Sequence, residues 1–268
     1  MWQSPRVAEP NEPGAVNRRE MLRASIAAAM GALVPSCSVP GIPQPGPPVV
    51  PRLSARPAAP TSQGPAGKST FQVSGSTAVI YVPRTVQRTT ASGLYVFLHG
   101  ALRTVDFFVD GHTPAADRHG VIVLAPFSTS GTWDAIQGRF SNDVRVIDSA
   151  LRWTFERWTI DPMRIAMTGF SDGGTYSLAM GRANGDLFTR IVACSPGFLI
   201  GVERAGNPPI LVTHGTQDAV LPIEQTSRLL VPQLRSLGYT VDYREFVGPH
   251  AVPISIAEEV VQSLAAPR

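Results

Sequence analysis

Seven short apolar runs, each closed by turn residues, restrict what this chain can fold into. They read AVIYV, LYVFLHG, VIVLAP, RIAMTG, RIVACSP, PILVTHG and VDYREF, and stretches of helical periodicity fall between them. Runs that are apolar throughout, with no alternation, suit strands buried on both faces, and helices between them supply the covering layers. The expectation is an α/β fold: one doubly wound domain over residues 69–268 on a mostly parallel sheet. Helices are predicted from Asp143 to Phe155, Ser171 to Ala183, Pro222 to Leu237 and Val252 to Ala265. Asn142 or Asp143 would cap the first, and Pro222 precedes the third.

The segment before this domain has a different composition. Residues 1–67 carry six arginines against three acidic residues, whereas the remainder is balanced at seventeen of each sign, so the net charge of +3 belongs to residues 1–67. No cluster of basic residues interleaved with aromatics follows, which argues against a nucleic-acid partner. Arg18 and Arg19 stand before an uncharged stretch, Ala24 to Val34, that is shorter than the roughly 20 residues a membrane span needs. Residues 1–36 therefore read as a cleavable export signal, and their order resembles the twin-arginine type. Val34-Pro35-Ser36-Cys37 is similar to a bacterial lipobox, in which Cys37 would be lipidated and anchor the protein at the cell envelope; ordinary cleavage after Ser36 is the alternative. The expected locations are periplasmic, secreted or lipid-anchored.

Nine prolines between Pro40 and Pro65 favour an extended tether, so residues 37–68 are expected to be a disordered linker. Within it, SQGPAGKST imitates a phosphate-binding loop. Ser62 stands where that loop needs its first glycine, and a strand-like segment follows where a helix should, so no nucleotide is assigned. The two cysteines, Cys37 and Cys194, do not make a disulfide framework, and no zinc-binding spacing occurs. No metal or other cofactor is expected.

The chemistry concentrates at MTGFSDGGTYSLAMG. RIAMT supplies a strand, GFSDG a sharp turn and GTYSLAM the start of a helix, which is the G-x-S-x-G nucleophile elbow in its required setting. Gly169 and Gly173 are needed there because a Cβ would collide with neighbouring backbone, and the strained turn pushes the Ser171 hydroxyl outward. A serine hydroxyl is a weak nucleophile near neutral pH. It needs a histidine base and a carboxylate that fixes the base's tautomer, in the chain order Ser, Asp or Glu, His. Of five histidines only His214 and His250 follow Ser171. His214 closes a strand and is expected to shape the turn after it, which leaves His250, in the GPH loop, as the base. Asp218, in HGTQDAVLP, is the expected acid. Asp242 and Glu245 compete but lie in a strand pattern that suits an exposed face. An oxyanion hole would use the N–H of Asp172, which follows the nucleophile, and that of Ala101 or Leu102 after LHG.

IDPMRIAMTGFSDGG, LHG, HGTQD and GPH together resemble the α/β-hydrolase superfamily. Within it they look like the carboxylesterase and phospholipase group and the exported esterases related to polyhydroxybutyrate depolymerases and feruloyl esterases. The resemblance spans Leu94 to Ala265. It implies Ser171 as nucleophile, Asp218 as acid, His250 as base, and Ala101 with Asp172 as oxyanion donors, in a serine esterase acting through an acyl-enzyme on small or polymeric esters. The stretch Ser195 to Pro209 is too short for a large lid domain, which implies an open cleft. Trp133, Phe127 and Phe198 are candidate substrate contacts, with Phe107 and Phe108 on another strand-end loop. A peptidase using the same triad, and a surface lipoprotein that keeps the fold only for binding, are the competing functions.

Overall fold

The computed structural model describes residues 51–101 and 105–265, with backbone alone at 106 and 107. The leader at 1–36, Cys37 and Leu102 lie outside the described residues.

Among the described residues, eight strands form one sheet: β1 (Gly67–Val73), β2 (Ser76–Val82), β3 (Ser92–Leu98), β4 (Ile122–Pro126), β5 (Ile160–Phe170), β6 (Arg190–Cys194), β7 (Ile210–Gly215) and β8 (Val241–Phe246). Their order is β1-β2-β4-β3-β5-β6-β7-β8. β2 pairs antiparallel with β1 and β4, and every other pairing is parallel. The runs that are apolar throughout became the inner strands, and β3, β4 and β7 are buried along their whole length. β1 alternates between half-buried and exposed positions, as an edge strand with one wet face should.

Alternation along the strands divides the core. Leu94, Val96 and Leu98 of β3 face one layer, and Tyr95 and Phe97 face the other. The first layer is roofed by α2 (Asn142–Phe155) and α3 (Asp172–Ala183), and beyond them α4 (Ser227–Ser236) covers β6 and β7. The second is roofed by α1 (Val105–His119) and α5 (Ile254–Ser263).

Three local expectations are corrected. The loop expected around Phe107 and Phe108 is the helix α1, although Gly111 and Pro114 both disfavour one. Buried Val105, Val109, His112 and Ala116 line its inner face, and their packing on the sheet outweighs local propensity. Neither Asn142 nor Asp143 caps α2. Ser141 holds that position, and Asp143 is buried beneath the preceding loop. The single helix expected behind Pro222 is a 3-10 turn, Ile223–Gln225, followed by α4.

The expected free linker is also revised over its described part. Residues 51–66 form a strap along α2 and the end of α3. Asn184 is fully buried and donates from Nδ2 to Pro51 O at 2.9 Å, and Leu53 N–H donates to its Oδ1 at 2.8 Å. Asp148 accepts from Ser54 N–H at 2.6 Å and Ala55 N–H at 2.8 Å. Asp186 takes Arg52 at 2.8 Å and Arg56 at 2.7 Å, while Leu53 and Ala55 are buried in the core. Prolines favour an extended strap, and side chains of the body take the backbone of Pro51, Leu53, Ser54 and Ala55.

Candidate active site

The elbow forms as its glycines require. Ser171 has φ 57° and ψ −121°, a left-handed conformation that a non-glycine residue adopts only under constraint from its surroundings. Its N–H donates to Cys194 O at 2.9 Å, and its carbonyl accepts from Thr175 N–H at 3.0 Å. A Cβ at Gly169 would lie 2.1 Å from Gly173 O, and one at Gly173 would lie 2.1 Å from Leu98 O. These two absent methyl groups let β5, α3 and the end of β3 meet.

That meeting point is where the strand order reverses. From β3 the chain runs outward to β4 on one side, and from β5 it runs to the other. In open α/β sheets loops diverge at such a point and ligands bind at the carboxyl ends of the strands. The loop after β3 borders this point: a Cβ at Gly100 would come 3.2 Å from Ser171 Cβ. Ala101 follows Gly100 directly, and Asp172 follows Ser171 and opens α3.

Asp218 and His250 meet at the same rim. His250 Nδ1 lies 2.6 Å from Asp218 Oδ2, and the imidazole packs against the ring of Phe170 at a centroid separation of 4.6 Å. Phe170 immediately precedes Ser171. Asp218 Oδ1 accepts from Val220 N–H at 2.9 Å and Leu221 N–H at 2.8 Å. Burial pushes the Asp218 carboxyl up. The hydrogen bonds from His214, His250 and Leu221 outweigh it and hold the group well below the usual carboxylate range. Asp242 and Glu245 are exposed on opposite faces of β8, paired with Arg244 and Arg228 respectively.

Trp133 is corrected. It is completely buried, stacked on Tyr176 of α3 at 5.0 Å, and its indole N–H donates to His99 O at 2.8 Å. An indole with no exposed surface and its one donor engaged braces the protein rather than lining a cleft. Phe127 and Phe198 remain half-buried at strand ends. Phe108 packs on Phe97 and Phe170.

Sequence reasoning missed this brace. His99 is fully buried, and Ser128 N–H donates to its Nε2 at 2.9 Å. The proton must then sit on Nδ1, which donates to Gly100 O at 2.6 Å. His99 is thereby kept as one neutral tautomer beneath the loop that carries Ala101. The loop after β4 is tied down in turn. Asp143 accepts from Thr129 N–H and Asp134 N–H, each at 2.7 Å, and Thr132 donates to Asp172 Oδ2 at 2.6 Å. Burial pushes the Asp143 and Asp172 carboxyls up. Thr129 and Thr132 lie in polar sequence with no periodicity, and Asp143 read only as the start of a helix, so no pattern pointed to these ties. Among the described residues, no group of three or more His, Cys, Asp and Glu could hold a metal ion.

Known proteins share this architecture. A crystal structure of a thermostable esterase superposes with a TM-score of 0.60 at 26% identity, covering 74% of this chain and 61% of that one. A bifunctional acetylxylan esterase/xylanase of Neocallimastix patriciarum is 30% identical over 118 residues, which are 43% of this chain and 17% of that protein. An acetylxylan esterase of Coprinopsis cinerea is 29% identical over 140 residues, 48% of this chain and 37% of the relative. The chain thus spans well under half the length of either curated relative. The pattern of the phospholipase/carboxylesterase family matches residues 125–265, a range that includes the elbow and the Asp218 and His250 loops. With that match and its eight-stranded, mostly parallel sheet, the chain belongs to the phospholipase/carboxylesterase family of α/β-hydrolases.

Proposed function

We propose that this protein is a serine esterase that hydrolyses carboxylic esters through an acyl-enzyme on Ser171. The observation that carries the reading is the 2.6 Å hydrogen bond from His250 to Asp218, with the imidazole seated on Phe170 beside the strained Ser171. In this reading the Ser171 hydroxyl attacks the ester carbonyl and its proton passes to His250. Asp218, ionised at neutral pH, holds the Nδ1–H and stabilises the imidazolium. The N–H groups of Ala101 and Asp172 receive the developing oxyanion, an interaction whose loss typically lowers turnover about 10² to 10³-fold. His250 then protonates the departing alcohol. Water, deprotonated by the same histidine, releases the acid and restores Ser171.

The stretch Ser195 to Pro209 contains no helix that could serve as a lid, and Phe127 and Phe198 are the proposed apolar contacts beside the crevice. An open crevice suits esters carried on bulky or polymeric alcohols, and the esterase names of the relatives point the same way. The twin-arginine leader supports export before the enzyme meets such a substrate, and the intact mass of the exported protein would show cleavage at Ser36 and any lipid on Cys37. Purified protein and Ser171→Ala are compared on p-nitrophenyl acetate and butyrate, then on acetylated and feruloylated carbohydrate. The substitution is expected to abolish turnover and fluorophosphonate labelling together, and equal rates would refute the assignment.

A further inference from the structure

His214 was expected only to shape the turn that delivers Asp218, yet it touches the carboxylate itself. It closes β7, is completely buried, and its Nε2 lies 2.8 Å from Leu221 O and 3.1 Å from Asp218 Oδ2. Its Nδ1 lies 2.7 Å from Ser227 Oγ on α4. A peptide carbonyl can only accept, so Nε2 carries the proton and shares it between Leu221 O and Asp218 Oδ2. In the neutral ring Nδ1 then accepts from the Ser227 hydroxyl.

Asp218 therefore receives four N–H groups. Two backbone donors hold Oδ1, and two imidazoles converge on Oδ2, His250 at 2.6 Å and His214 at 3.1 Å. The backbone pair fixes where the carboxylate sits, so His214 is not needed to keep it in place. What His214 does is compete with His250 for the charge on one oxygen.

We propose that His214 is a positioning residue that acts through Asp218: by donating its Nε2–H to Oδ2 it limits how strongly the carboxylate stabilises the protonated form of His250. This rests on the reading of Asp218 and His250 as acid and base. A base that is too strongly stabilised in its protonated form is unavailable at neutral pH and returns its proton slowly, so a second donor on the carboxylate keeps the pair in its working range. Other charged groups also face the pair. Asp172 of α3 interacts with His250, and Glu245 of β8, held by Arg228 of α4, stands beside His214 in the sheet. All of them stay unchanged in the variants below.

The test follows the titration of the His250 ring by NMR and the acidic limb of kcat/KM on p-nitrophenyl acetate. In His214→Leu, both midpoints are expected to move upward by about half a pH unit, so that the rate below the limb falls about threefold while KM is unchanged. His214→Gln restores an N–H near the position of Nε2 and should return both midpoints to the wild-type value. Ser227→Ala removes the stitch to α4 but leaves the shared proton, and should leave both midpoints in place. A folded His214→Leu with an unmoved or lowered midpoint, a His214→Gln that shifts as far as His214→Leu, or an equal shift in Ser227→Ala would overturn the proposal. If His214→Leu does not fold, the wild-type ring decides. Nitrogen shifts at neutral pH must show His214 in the Nε2–H form, and the other tautomer would overturn it. The NMR midpoints need no turnover, so they stand even if Ser171→Ala shows that hydrolysis does not depend on that serine.

Discussion

Replacing Trp133 with phenylalanine separates two roles that this residue could play. The indole is completely buried, stacks on Tyr176 with an interplanar angle of 14°, and donates to His99 O at 2.8 Å. Phenylalanine keeps the stack and loses the donor, and removing this buried hydrogen bond costs about 1 to 3 kcal/mol. The missing part of the ring leaves a small cavity that adds about 1 kcal/mol. A total of about 2 to 4 kcal/mol is a large share of the roughly 5 to 15 kcal/mol that holds a typical domain together. Since each kcal/mol is worth about 2 to 4 °C in a domain of this size, the melting midpoint should fall by roughly 5 to 15 °C. The lost bond also frees the His99–Gly100 peptide, and with it the proposed Ala101 donor, so kcat should drop about tenfold or more while KM holds. Thermal and urea unfolding followed by circular dichroism and steady-state kinetics on p-nitrophenyl acetate measure both effects. An unchanged unfolding midpoint together with a raised KM and intact kcat would show that the indole faces substrate, and the brace argument would fail.

Two glycines should respond in opposite directions. Gly173→Ala drives a methyl group into Leu98 O and His99 O and should cost about 4 kcal/mol or more, or prevent folding. Gly111→Ala, in the exposed middle of α1 with open space around it, should stabilise by about 0.5 to 1 kcal/mol in the same denaturation assay. Asn184→Ala strands Leu53 N–H and Pro51 O and should cost about 2 to 3 kcal/mol, accompanied by early proteolysis within residues 51–66; an unaltered cleavage pattern would count against a docked strap. The strap should also release in acid. Burial raises the carboxyls of Asp148 and Asp186, but the strap's N–H groups and arginines outweigh it and hold both below the ordinary value. Their contribution is complete above about pH 4 and is lost as pH falls through the lowered values. Hydrogen exchange at Ser54 and Ala55 should lose protection on that descent, and constant protection down to pH 2 would contradict the anchoring role.

The inner strands and the elbow were legible in the sequence because their causes are local. A run such as LYVFL is apolar at every position because both faces of the sheet are covered, and Gly169, Ser171 and Gly173 mark a turn whose sequence signature lies within five residues. Asp218 and His250 could be nominated because each follows a strand whose end was recognisable. The strap was not legible, since its prolines read the same whether it is free or docked, and its anchors Asp148, Asn184 and Asp186 lie far along the chain. α1 was obscured by Gly111 and Pro114, whose unfavourable propensity is overcome only by packing on the sheet.

Sequence alone determined the layered fold and the residues able to carry the chemistry, because hydrophobic periodicity and turn sterics act over a few neighbours. Only the tertiary structure decided that Trp133 braces the loop after β3, that His99 is held as one tautomer, and that His214 shares the Asp218 carboxylate with His250. Each of these depends on where a single proton points. Such directions are fixed when the layers pack, and no pattern of neighbouring residues encodes them.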